Sequence, residues 1–255
     1  MLPLAAISRI GCAAPFCDLE PMSIPRVLVT GGGRGIGRAI ALRFARERAK
    51  VVVAARTSDE LDRVVAEICS LGGQGMAAQM NVREEESVTA AMWRGIEFLE
   101  EQIDVLVNNA GVFHMAPLGK SESAKWRWMF EVNVDGAYYV TKECLDAVLA
   151  GTRPHVFNIC SVAATRGFAD NTAYCASKYA LRGFGDALRE ELRPRKVRVS
   201  NVYPGQTDTA IFDSVPGKWD RSRMNRPEDV AEVVWNAWRA PDSANVDELE
   251  VPPRA

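Results

Sequence analysis

Arg26-Val27-Leu28-Val29-Thr30-Gly31-Gly32-Gly33-Arg34-Gly35-Ile36-Gly37 runs from a short apolar stretch directly into a turn that contains five glycines. Residues 26–30 have the length and composition of a buried strand, and 36–48 carry apolar side chains, Ile40 and Phe44 among them, at helical spacing. Gly31, Gly35 and Gly37 follow a G-x-x-x-G-x-G spacing, with Gly33 inside it. Residues without a Cβ let the backbone turn tightly and approach a phosphate, and the start of the following helix favours negative charge. The stretch therefore predicts a strand, turn and helix that cradle a pyrophosphate.

Outward from this unit the same alternation continues. Further strands are expected at 50–55, 75–81, 103–107, 154–160, 196–203 and 248–251, and helices at 84–100, 123–150, 173–193 and 227–239. Thr57-Ser58-Asp59-Glu60 has the form of a capping box for a helix that runs to Leu71. Val/Ile/Leu-rich strands alternating with helices predict an α/β fold, a Rossmann-type doubly wound parallel sheet of about seven strands with helices on both faces.

A chain of 255 residues, 47% of them apolar, can bury one full core. A single dinucleotide-binding catalytic domain over 25–255 is expected, preceded by a flexible extension, 1–24. Pro3 and Arg9 break the apolar start of that extension, and Asp18 and Glu20 argue against a transit peptide. A net charge of -2 gives no basic face for nucleic acid. No apolar run approaches the roughly 18 residues of a membrane span. The six cysteines are scattered without metal-ligand spacing, which fits reduced thiols in the cytoplasm. His114 reads as a loop residue and His155 as a strand residue, and no metal site is expected.

In a doubly wound sheet, ligands bind beyond the carboxyl ends of the strands. The motifs all fall there: the glycine turn after the first strand, Asn108-Asn109-Ala110-Gly111 after the fourth, Ser161 at the end of the fifth, and Pro204-Gly205 after the sixth. Tyr174 and Lys178, four residues apart, share a helix face, so the ammonium is expected to draw the phenol toward its ionised form. Tyr138 and Lys142 repeat the spacing, but no strand-end serine accompanies them.

Taken together these motifs resemble the short-chain dehydrogenase/reductase family, over nearly everything from Pro25 to Val251. The resemblance implies that Asn133, Ser161, Tyr174 and Lys178 are the catalytic set. It implies a cofactor held by Gly31, Gly33, Arg34, Gly35, Ile36 and Gly37, by Asn109, Ala110 and Gly111, and by Tyr174 and Lys178. Pro204, Gly205 and Thr207 correspond to the segment at the nicotinamide end. Asn81, beside Val82, stands where many relatives have an aspartate, and can still hydrogen-bond an adenine edge. The ending Asn245-Val246-Asp247-Glu248-Leu249-Glu250-Val251-Pro252 resembles the NADP-dependent 3-hydroxy acid dehydrogenase branch. A homodimer or homotetramer is also implied.

The chemistry expected is hydride transfer between a small hydroxyl or carbonyl substrate and NADP(H). Ser161 would bond the carbonyl, Tyr174 would donate the proton, and Asn133 would bend its helix and hold a water in a relay to Lys178. The second strand ends Ala54-Ala55-Arg56 with no acid, so Arg56 and Arg34 can clamp a 2′-phosphate, which favours NADP(H) over NAD(H). The rival reading is a regulatory protein that senses nucleotide with the same fold; the complete four-residue set argues against it. Residues 206–226, with Ile211, Phe212, Val215 and Trp219, are expected to form an apolar lid. Trp126, Trp128, Trp235 and Trp238 are expected to pack helices, and Cys175 is sensitive to oxidation only if exposed and acidic.

Overall fold

The computed structural model describes residues 24–253, apart from 214 and 216. Its strands are β1 (Arg26–Thr30), β2 (Lys50–Ala55), β3 (Gln74–Gln79), β4 (Val105–Asn108), β5 (His155–Ile159), β6 (Arg198–Pro204) and β7 (Glu248–Val251). Its helices are α1 (Gly35–Ala45), α2 (Ser58–Ser70), α3 (Glu85–Phe98), α4 (Ser123–Phe130), α5 (Gly136–Leu149), α6 (Thr172–Leu192) and α7 (Pro227–Arg239). All strand pairs are parallel, in the order β3-β2-β1-β4-β5-β6-β7. The chain leaves β1 outward to β3 and returns to β4 on the other side, so the crevice opens between β1 and β4. Among the described residues no helix is long and apolar enough to cross a membrane.

Alternation along each strand divides the core in two. Val27 and Val29 face Phe44, Leu61 and Trp235, whereas Leu28 faces Met92 and Val140 on the opposite side. Trp235 and Trp238 meet Phe44 with ring centroids 5.1 and 5.5 Å away, and Trp126 stacks on Phe130 at 4.9 Å. Trp235 and Trp238 pack helices, as the sequence predicts, whereas Trp126 is exposed and stacks on a residue of its own helix.

Polar side chains fix the sheet at both ends of its strands. Asp104, buried at the start of β4, accepts from the Arg26 N–H (2.9 Å), the Arg26 Nε (3.1 Å) and the Thr152 N–H (2.8 Å). Toward the carboxyl ends, Asn108, Asn158 and Asn201 lie side by side on β4, β5 and β6. Their amides bond to one another at 3.0 and 3.2 Å, and the row ends on Thr141 and Asp186, each at 2.9 Å. Helix α6 crosses this row at Gly185, where a Cβ would lie 2.1 Å from Asn201 Oδ1. The missing side chain therefore sets how closely α6 approaches the sheet.

His155 is buried within β5 and stacked on Phe157 at 3.9 Å. Its Nε2 lies 2.7 Å from Ser200 Oγ, and the Ser200 hydroxyl donates to the Val246 carbonyl. The serine has a single hydrogen, so Nε2 carries the imidazole proton and Nδ1 is a bare acceptor with no partner among the described residues. Burial, reinforced by Arg198 and Arg153, holds the His155 pKa well below its usual value.

The structure departs from two expectations about helices. Thr57 precedes α2 without a side-chain cap, and Glu60 turns to Arg34, with its Oε1 3.5 Å from Nη1. The helix expected over 123–150 is interrupted by a π turn, Glu131–Asp135, between α4 and α5, at the Asn133 that the family resemblance expects to bend it. The expected extension, 1–24, lies outside the described residues except for its last position.

Candidate active site

The cleft lies at the carboxyl edge of the sheet and has a volume of about 480 Å³. Its floor is the glycine turn. Gly31 and Gly35 take φ values of +61° and +56°, a region that favours glycine. A Cβ on Gly37 would lie 2.4 Å from both the Gly31 carbonyl oxygen and Asn109 Nδ2. Asn109 holds the turn, donating from Nδ2 to the carbonyls of Thr30 (2.8 Å) and Gly31 (3.1 Å). Thr30 Oγ1 in turn accepts from the N–H groups of Asn109 and Ala110, each at 3.0 Å. The first and fourth strand ends are thus tied into one cradle, with backbone exposed where side chains would obstruct a phosphate.

One end of the cleft is cationic. Arg34 and Arg56 line it, Arg56 is exposed at the end of β2, and no acid occupies 54–56. Glu60, paired with Arg34, also lines this end. Asn81 and Val82 border the cleft beyond β3. The Asn81 amide donates to Glu84 Oε1 at 2.5 Å and accepts from the Arg83 N–H at 3.4 Å, so it also supports the start of α3. Val82 packs on Gly136, where a Cβ would approach Val82 Cβ to 2.8 Å.

The other end gathers hydroxyl, phenol and amine. Ser161 follows β5 with its Oγ accepting from the Ala163 N–H at 3.1 Å, and its hydroxyl favours the ionised form of the Tyr174 phenol. Lys178, buried one turn along α6, donates from Nζ to the Ile159 carbonyl at 2.9 Å and lies 5.9 Å from the centre of the Tyr174 ring. A Cβ on Gly111 would be 3.5 Å from that Nζ and 3.4 Å from Asn133 Oδ1, so these groups adjoin one another. Asn133, in the π turn, accepts from the Val112 N–H (2.8 Å) and donates to the Val112 carbonyl (3.0 Å) and Ser177 Oγ (3.0 Å). Ser177 Oγ donates to the Tyr174 carbonyl at 2.8 Å. The Asn133 side chain is therefore spent on bracing α6 against the loop after β4.

The titration behaviour corrects one expectation. Burial pushes the Tyr174 phenol up to about 12, only partly offset by the Ser161 hydrogen bond, rather than the ammonium drawing it down. Burial also lowers Lys178 to about 8. Loss of water penalises both ions, and Lys178 directs its proton at a backbone carbonyl. Tyr138 and Lys142 lie elsewhere: Tyr138 is exposed and Lys142 pairs with Glu85 at 2.8 Å.

Pro204, Gly205 and Thr207 line the cleft after β6. Gly205 donates its N–H to the Val251 carbonyl at 2.9 Å, and Thr207 Oγ1 donates to the Gly205 carbonyl at 3.1 Å. The segment 206–226 is pinned at its base by Thr207 and Asn225, which form a bridge. Ile211, Phe212 and Trp219 face the cleft, whereas Val215 is buried without lining it.

Several lining residues carried no sequence signal. Phe113, Met115 and Phe168 stand in loops without periodicity, and Thr209 meets Gly35, where a Cβ would be 3.1 Å from its Cγ2. Trp128, expected only to pack helices, also lines the cleft. Cys175 is buried, so it does not meet the exposure condition for an oxidation-sensitive thiol. Cys160 is buried too, its thiol pushed up to about 12 by desolvation.

The short chain dehydrogenase family model matches residues 25–218. The NADP-dependent 3-hydroxy acid dehydrogenase of Salmonella typhi is 32% identical, over 89% of this chain and 94% of its own. Among solved structures, an alcohol dehydrogenase of Thermococcus sibiricus complexed with 5-hydroxy-NADP superposes with a TM-score of 0.83 at 28% identity, covering 90% and 96% of the two chains. A metagenomic short-chain oxidoreductase in complex with NADP gives a TM-score of 0.78 at 33% identity, covering 92% and 100%. The parallel sheet, the glycine cradle and the serine, tyrosine and lysine at one strand edge agree with that match, and the chain belongs to the short-chain dehydrogenase/reductase family.

Proposed function

We propose that this protein is an NADP(H)-dependent oxidoreductase that interconverts a hydroxyl and a carbonyl on a small substrate, with Tyr174 as the acid/base. The observation that carries the reading is the shared location of the Ser161 hydroxyl and the Tyr174 phenol in one cleft that also contains buried Lys178. The cofactor fits the residues present. The cradle has no room for side chains at Gly31 and Gly37, and its far end presents Arg34 and Arg56 with no acid at 54–56. The NADP-bound and NADP-dependent relatives support the same choice.

NADP(H), when bound, supplies or accepts the hydride. In the reductive direction, Ser161 Oγ and Tyr174 Oη both donate to the carbonyl oxygen, which orients it and withdraws electron density from its carbon. As that carbon gains the hydride, Tyr174 gives its proton to the oxygen, leaving a hydroxyl. A phenol near 12 is fully protonated at neutral pH and ready to act as an acid. Lys178, near 8, can exist in either form and return a proton to the phenolate. Asn133 positions this pair through Val112 and Ser177. The free thiols among the described residues support the cytoplasmic reading. The deciding experiment follows NADPH absorbance while ketones, aldehydes and oxo acids are added in turn; failure of all of them to drive oxidation would overturn the proposal.

A further inference from the structure

Resting on the oxidoreductase reading, we infer that the substrate is a neutral aryl or similarly bulky apolar carbonyl compound (or the matching alcohol), and that the site disfavours an anionic oxo acid. Two independent observations lead there.

The first is the wall beside the acid/base. Phe113 lies 4.5 Å from the Tyr174 ring, Phe212 is edge-on to Phe113 at 6.3 Å, and Trp219 packs on Phe212 at 5.1 Å. Trp128 and Phe168 line the same cleft. Rings in tilted and edge-on arrangements leave faces and edges for another ring, which gains both from burial and from aromatic geometry.

The second is the polarity of what remains. Among the described residues the charged groups lining the cleft are Arg34, Arg56 and Glu60 at the cofactor-phosphate end, and buried Lys178, which donates one hydrogen to the Ile159 carbonyl and serves Tyr174. Arg221, on the 206–226 segment, is held by Asp208 at 2.9 Å and by Asp213. Arg166 stacks on Phe168 at 5.1 Å but is exposed and outside the lining. Asn171, which does line the cleft, uses Nδ2 to donate to the Ala169 carbonyl at 2.7 Å. That bond fixes the amide orientation and leaves its buried Oδ1 as an acceptor without a partner among the described residues. A carboxylate entering here would lose its water and find no cation beyond Lys178, which serves the acid/base. A neutral aromatic group loses little by the same transfer.

The test is steady-state NADPH oxidation with methyl benzoylacetate and with benzoylacetate, which share the ketone and differ in charge. The ester is expected to exceed the acid by roughly 100-fold in kcat/KM. Methyl acetoacetate, lacking the ring, should fall between methyl benzoylacetate and zero. Phe212→Ala and Trp219→Ala, both on a surface segment, should narrow the gap between the two esters while the NADPH Kd stays unchanged. Equal or better turnover of the acid would overturn the inference while leaving the oxidoreductase reading intact, as would turnover confined to small aliphatic carbonyls. No oxidation with any carbonyl would remove the underlying reading as well.

Discussion

At the scale of single residues, the separation between Tyr174 and Tyr138 is the sharpest assignment to test. Tyr174→Phe keeps the ring against Phe113 and removes only the hydroxyl, so turnover is expected to fall by roughly 10²- to 10⁴-fold with NADPH binding retained. Tyr138→Phe, on an exposed face, should leave the same assay unchanged. The cofactor end yields a second prediction. A charged hydrogen bond contributes about 1.5–3 kcal/mol, and Arg34, with its side chain 66% exposed, belongs at the low end. Replacing both Arg34 and Arg56 by Ala should weaken NADPH binding by roughly 100-fold and barely change NADH, read by fluorescence titration. Glu60→Gln frees Arg34 from its carboxylate and removes a charge that repels the 2′-phosphate. NADPH should then bind roughly twofold to fivefold more tightly. The roles expected of Ser161, Tyr174 and Lys178 could be proposed from sequence because spacing and strand-end position carry them. The balance of burial against charge that raises the phenol could not, since it depends on which loops exclude water.

At the scale of elements, helix–sheet distances decide what is tolerated. Gly185→Ala would place a methyl group 2.1 Å from Asn201 Oδ1 and 2.6 Å from Asn158 Nδ2. Either α6 moves outward or the asparagine row breaks, at a cost of about 3 kcal/mol. Chemical denaturation should report the loss, and activity should fall with it because Tyr174 and Lys178 ride on the same helix. Gly183, two residues away, has no atom within 4 Å of an added Cβ, so Gly183→Ala serves as the tolerated control. Apolar periodicity located nearly every strand and helix here. It could not reveal the π turn at Asn133, because the apolar stripe continues through it, and it gave no warning that Glu60 would leave its cap for Arg34. Those features depend on partners distant in the chain.

At the scale of the whole molecule, parallel pairing and two apolar faces were legible because β-branched strands alternate with amphipathic helices. The aromatic wall was legible only in part: Phe212 and Trp219 lie in the segment expected to form an apolar lid, whereas Phe113 and Phe168 come from two other loops that meet it only after folding. The buried polar groups also make stability depend on pH. His155 has a folded pKa well below the 6.5 of the unfolded chain, so below that pH the unfolded state takes up a proton that the native state refuses. Stability attributable to His155 is present above pH 6.5 and is lost as the pH falls, by up to about 1.4 kcal/mol per unit. Melting temperature should decline from pH 6.5 to 5.5, and His155→Gln, which keeps an N–H for Ser200, should flatten that decline; an unchanged slope would refute the assignment. The row of asparagines has a further consequence, which is that it runs one way. Asp186 as a carboxylate can only accept, and the Arg182 carbonyl beside it can only accept, so Asn201 must turn its NH₂ toward them. Its oxygen then faces Asn158, whose oxygen faces Asn108, and both Asn108 hydrogens are consumed by Asn158 and Thr141. One charge on a helix thus polarises three strands in sequence, and the surplus lone pair appears at the far end, as the unpartnered Oδ1 of Asn108.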